Sequence, residues 1–157
     1  MNVLAFDQST NLTGFSLFQD GQYITSGVID KHKIKGADER IAEMGLAICK
    51  LIKEYKPDVV TIEDTQNQSN VKTVIFLARL QGCVILYCAS KGIKLNILRP
   101  SEWRSALEYQ QGPKVKREVL KQQSKDFVKN HFGLELESED EIEAIAINEA
   151  THRIYEL

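Results

Sequence analysis

Four consecutive apolar residues, Val3 to Phe6, run into Asp7, and after the polar stretch 8–13 the chain turns apolar again from Gly14 to Phe18. Two short apolar runs around a polar turn predict a hairpin whose first strand ends in an acid. That first run shows no alternation, so both its faces are covered and the strand is central. An acid at the end of such a strand meets low-dielectric surroundings, where an unpaired carboxylate is costly unless a cation or hydrogen bonds compensate it. Taken alone, Asp7 reads as a turn former, so the other acids decide its role.

A length of 157 residues fits one domain, here 1–157, able to bury a core without disulfides or structural metal. There is no basic segment leading into an apolar signal core, and no apolar run approaches the roughly 20 residues that span a bilayer. The expectation is a soluble, cytoplasmic protein without a membrane partner. Cys49, Cys83 and Cys88 lack the Cys-x-x-Cys spacing of a zinc site and read as core residues. The net charge of −2 is unevenly spread: residues 99–130 hold eight Lys or Arg against four acids, and 131–157 one Arg against eight acids. A basic surface beside an acidic site would produce that asymmetry, and so would ordinary solvated helix faces.

Residues 22–29 partly alternate and predict a third strand near a sheet edge, antiparallel to the second. Apolar positions from Ile41 to Ile52 predict a long amphipathic helix over 37–55, ended by Pro57. The β-branched run 58–63 then ends in Glu63, repeating the pattern around Asp7. A polar turn at 67–70 precedes a second long helix over 71–90, closed by Gly92. Residues 93–98 read as a strand, and 99–104 as a loop entering a short helix with Ser101 as cap. After the break at Gly112-Pro113, a third long helix is predicted over 114–131, ended by Gly133. Its Lys114, Arg117, Lys121 and Lys125 form a basic stripe suited to DNA phosphates.

Ser138 opens the last helix, with Glu141 placed to complete a capping box. Capping and the helix dipole account for Glu139, Asp140 and Glu141. Glu143 lies beyond that turn among isoleucines and alanines, so it needs a partner; Asp140, three residues earlier, shares its face. The order of elements implies an α/β domain with a mixed sheet. If Asp7 and Glu63 end neighbouring strands, they can meet Asp140 and Glu143 in one oxygen-rich cluster. Four such carboxylates call for hard cations such as Mg2+, and two ions about 4 Å apart suit phosphodiester hydrolysis.

At these residues the chain resembles the RuvC-type Holliday junction resolvases of the ribonuclease H-like nucleases. The likeness rests on Phe6-Asp7-Gln-Ser-Thr-Asn-Leu-Thr-Gly14-Phe, on Ile62-Glu63, and on Asp140-Glu-Ile-Glu143-Ala-Ile-Ala-Ile147. The resemblance implies a ribonuclease H-like mixed five-stranded sheet with helices on both faces. It also implies metal ligation by Asp7, Glu63, Asp140 and Glu143, with Mg2+ or Mn2+ and two ions in the site. Arg104 and Lys116 align with basic active-site residues, and Lys116 joins the catalytic set; Leu77-Ala-Arg-Leu-Gln-Gly82 resembles the family's interface helix. The implied activity is that of a homodimer that nicks branched DNA, such as a four-way junction, on two strands. Two departures stand out: the last acid is usually Asp but here is Glu143, and Gln66 occupies a position where the family can carry a junction-probing aromatic. Two other classes compete. One is a non-cleaving DNA-binding protein on the same fold; the other is an actin-like or sugar-kinase-like ATPase, since Asp7-Gln-Ser-Thr also resembles its first phosphate turn. That ATPase reading lacks a second half and a later Gly-rich phosphate turn. Trp103, opening a short helix, reads as packing in preference to base stacking.

Overall fold

A computed structural model describes residues 1–66 and 70–157. The predicted turn at 67–70 falls on 67–69, outside the described residues, and on Asn70. β1 (Asn2–Asp7) pairs antiparallel with β2 (Leu12–Gln19), and β2 with the edge strand β3 (Gln22–Asp30). On its other side β1 pairs in parallel with β4 (Val59–Glu63), which pairs in parallel with β5 (Lys94–Leu98). The sheet order β3-β2-β1-β4-β5 makes β1 central, as its unbroken apolar run requires.

Alternation along β1 divides the core. Leu4 and Phe6 pack with Ile41, Met44, Ile48, Leu80 and Val84 of α1 (Ala37–Tyr55) and α2 (Val71–Lys91). Ala5 faces the opposite layer of α3 (Pro100–Ala106), α4 (Arg117–Phe132) and α5 (Glu139–Tyr155). The helices therefore cover both faces, as expected for a mixed sheet joined by crossovers. Local chemistry sets their ends. The Asn70 side chain accepts from the Lys72 N–H at 3.1 Å to open α2, while Gly92 (φ 66°) and Gly133 (φ 70°) close α2 and α4 in the left-handed region.

Several expectations need correction. The third long helix starts at Arg117, three residues later than predicted, because Gly112 (φ 133°) and a turn from Gly112 C=O to Val115 N–H (3.0 Å) occupy the approach. Lys114 thus lies off the helix, and Lys116 is its N-cap. Arg99, and not Ser101, caps α3, with Pro100 at the first helical position, where its missing N–H costs nothing. Of the cysteines only Cys88 is buried; Cys49 is half-buried and Cys83 exposed. α2 is long and apolar enough by length and composition to cross a membrane, contrary to the expectation that no run approaches that size. Here it packs on α1 and β5.

Candidate metal centre and its basic rim

The site forms where α5 meets the carboxyl ends of β1 and β4. Four buried hydrogen bonds fix that helix. Ser16 Oγ donates to Ala144 C=O at 2.7 Å, Asn148 Nδ2 donates to the Val3 and Ser16 carbonyls at 3.0 Å each, and Thr151 Oγ1 meets Thr61 Oγ1 at 3.1 Å. Gly14, paired with Asp7 across β1 and β2, permits the close approach. A Cβ there would sit 1.9 Å from the Asp140 carbonyl oxygen, so only glycine lets the first turn of α5 rest on β2 beside Asp7. Ser138 Oγ accepts from Glu141 N–H at 3.3 Å as predicted. Glu141 does not reach back to complete a capping box: its carboxylate accepts from Ser26 Oγ at 2.7 Å, a further tie between α5 and β3.

This packing brings Asp7, Glu63 and Glu143 together, each offering a carboxylate oxygen within 4.8 Å of the others. Asp140 lines the same groove, though it stands outside that tight triplet. Burial, followed by the negative charges of Glu143, Glu63 and Asp140, pushes the Asp7 carboxyl well above the usual range. Burial pushes Glu63 up to about 7 against the opposing pull of the Trp103 N–H, and raises Glu143 and Asp140 as well. Acids crowded so that each disfavours the other's charge are a set that a bound cation would return to the ionised form. Their all-oxygen donors fit a hard divalent ion.

A groove of about 830 Å³ opens over these acids. Of the predicted basic residues, Arg104, Arg117 and Lys121 line it, as does Gln66. Lys125 lines an adjoining cavity of about 220 Å³ with Lys121 and Glu143. Lys114 and Lys116 are exposed on the approach to α4 and line neither. The predicted basic stripe of Lys114, Arg117, Lys121 and Lys125 is therefore broken, since Lys114 precedes the helix and lines neither cavity. Lys121 pairs with Glu139.

Sequence reasoning missed four contributors. Gln81, buried on α2, donates to the Glu63 carbonyl at 3.3 Å and accepts from Thr65 Oγ1 at 3.3 Å. Arg40 and Lys72 also line the groove. Trp103 is fully buried, and its Nε1 donates to Glu63 Oε2 at 2.7 Å. Packing was the expected role for Trp103, but no local signal pointed to the acid 40 residues earlier.

The family model described as crossover junction endodeoxyribonuclease RuvC matches residues 3–152. The RuvC of Hydrogenovibrio crunogenus is 28% identical over 109 residues, 67% of this chain and 63% of that one. The RuvC of Mycobacterium ulcerans is 30% identical over 112 residues, 68% and 61%. The chain thus spans a little under two thirds of these relatives' own length. Among solved structures, Thermus thermophilus RuvC in complex with Holliday junction substrate superposes with a TM-score of 0.80 at 15% identity, covering 99% of this chain and 96% of that one. The yeast mitochondrial Holliday junction resolvase gives 0.62 at 15% identity, covering 96% and 77%. These likenesses give the fold as that of RuvC, ribonuclease H-like. Since the family model spans nearly the whole chain, with the acids it brings together inside its bounds, the chain belongs to the crossover junction endodeoxyribonuclease RuvC family.

Proposed function

We propose that this chain is a structure-selective endonuclease that resolves four-way junctions, or related branched DNA, by metal-dependent phosphodiester hydrolysis. The observation that carries the reading is the convergence of Asp7, Glu63 and Glu143 at the floor of a groove rimmed by Arg104, Arg117 and Lys121. Family membership and the fold shared with a RuvC bound to Holliday junction substrate support it. Residues 1–157 act as a single nuclease domain. Asp7, Glu63, Asp140 and Glu143 hold Mg2+, or Mn2+ in its place, as a pair of ions. When bound, the metal supplies the Lewis acidity that makes water nucleophilic and stabilises the leaving oxygen. The four acids fix where that chemistry happens, because each is anchored on a paired strand end or on the first turns of α5.

In this reading Arg104, Arg117 and Lys121 hold phosphates in the groove, and Lys114, before α4, and Lys125, on it, extend the attraction. Lys116, by its family position, approaches the scissile phosphate from the start of that helix. A homodimer is part of the proposal. On α2, Val71, Ile75, Ile85 and Leu86 are exposed, with Leu86 72% open, and Gly82 faces open space. Such an apolar, small-residue face suits a second copy. Light scattering at micromolar concentration should give the dimer mass; a monomer would count against it.

The deciding measurement is nicking of a labelled four-way junction with and without Mg2+. Magnesium-dependent, paired incisions support the enzyme. Tight junction binding with no incision in Mg2+ or Mn2+ would instead establish the non-cleaving DNA-binding protein.

A further inference from the structure

The indole of Trp103 is aimed at the acid cluster by the fold. Glu63 pairs with Leu98 across β4 and β5, and the Asp64 N–H donates to the Leu98 carbonyl at 2.8 Å, so the two strand ends are locked side by side. Only Arg99 separates β5 from α3, and the first turn of α3 carries Trp103 back over Glu63. The ring is held on all sides. It is fully buried, packs among Ala5, Leu98, Leu107 and Ile147, meets Tyr109 edge-on at 5.7 Å, and carries the Arg104 guanidinium 5.1 Å from its centre.

A buried indole N–H needs an acceptor, but a carbonyl or hydroxyl would satisfy it at a smaller desolvation cost than a carboxylate. The pairing is therefore more useful to Glu63 than to Trp103. Glutamate has three side-chain torsions to fix before it can serve as a ligand. Tryptophan is a donor only, so it can restrain the acid without competing as a ligand. It is also neutral, unlike Lys or Arg, and leaves the carboxylate's negative charge for a cation. The bond takes Oε2, and among the described residues no donor meets Oε1.

We propose that Trp103 is a positioning residue for metal binding: its indole N–H holds Glu63 in the orientation that presents the other carboxylate oxygen to the cation. The proposal rests on the reading of the carboxylates as metal ligands. Outer partners of this kind typically change metal affinity by about 10- to 100-fold when removed.

The test uses the DNA-free protein. Mg2+ binding by isothermal titration calorimetry is compared between the native chain and Trp103→Phe, which keeps an aromatic ring and loses the N–H. A 10- to 100-fold weaker affinity is expected, with metal-free junction affinity within about twofold of native. The chain has one tryptophan, so its fluorescence gives a second readout. Emission of the native protein should change saturably with Mg2+, at the midpoint found by calorimetry, because a cation on Glu63 weakens the acceptor of the indole bond. This readout decides the matter if Trp103→Phe fails to fold. Native-like Mg2+ affinity in Trp103→Phe overturns the proposal while leaving the carboxylate reading intact. So does unchanged native emission at calorimetric saturation. A native chain that takes up neither Mg2+ nor Mn2+ overturns both.

Discussion

The acidic floor of the groove and its basic rim are built to different tolerances. The floor draws Asp7, Glu63 and Glu143 from three elements, two held by strand register and one by the buried Ser16 and Asn148 bonds. The rim draws Arg104 from α3 and Arg117 and Lys121 from α4, with Lys114 and Lys116 exposed on the approach to that helix. Ligating a cation requires oxygens placed to a few tenths of an ångström, whereas attraction between lysines and phosphates acts over a Debye length of about 8 Å and needs only charge density. Positional precision is therefore concentrated in the floor, and the rim can remain mobile and approximate.

The sharpest way to break the contrast is Asp7→Asn. It should reduce junction cleavage about 1000-fold or more, the scale seen when one member of a catalytic unit is removed. Junction affinity in EDTA should stay the same or rise, since a negative charge leaves the groove. A nicking assay paired with fluorescence anisotropy checks both. Next comes Gly14→Ala, which forces a Cβ to within 1.9 Å of the Asp140 carbonyl. Because the obstruction is backbone, a stability loss of about 3 kcal/mol is expected in urea unfolding, at the upper end for overpacking.

The floor should also be visible in the pH dependence of stability without metal. Glu63 rises from 4.5 to about 7 in the folded chain, and Asp7, Asp140 and Glu143 move in the same direction. A raised carboxyl means that the folded protein keeps a proton the unfolded chain has released. Stability is then greatest below about 4.5 and falls as pH rises toward about 7, by up to about 1.4 kcal/mol per pH unit for each group. Melting in EDTA from pH 4.5 to 8 should show this fall, and Mg2+ should remove it. Glu63→Gln should flatten it too, which separates the floor from His152, lowered by burial and acting in the opposite sense. The smallest effects belong to the rim. Lys114→Ala and Lys121→Ala should each weaken junction binding severalfold and flatten its salt dependence by about one unit of slope. An unchanged slope in both would leave these lysines to solvent.

The sequence by itself determined the elements and the ends that carry chemistry. The apolar run Val3–Phe6 made β1 central, Pro57, Gly92 and Gly133 ended three helices, and acids at two strand ends and in an apolar helix singled out Asp7, Glu63 and Glu143. These are local signals, written in periodicity, capping and turn chemistry within a few residues of where they act. The start of α4 was misread because lysines fit a helical stripe and a turn equally well, and the turn after Gly112 took them. Tertiary structure decided everything that depended on distant partners. It set Glu141 on Ser26 in place of its own cap, Gly14 beneath Asp140, and the Trp103 N–H on Glu63. The reason is that a side chain's polar partner is chosen by which elements pack together, and helix-on-sheet packing brings residues 40 to 128 positions apart into contact with no trace in the residues between them.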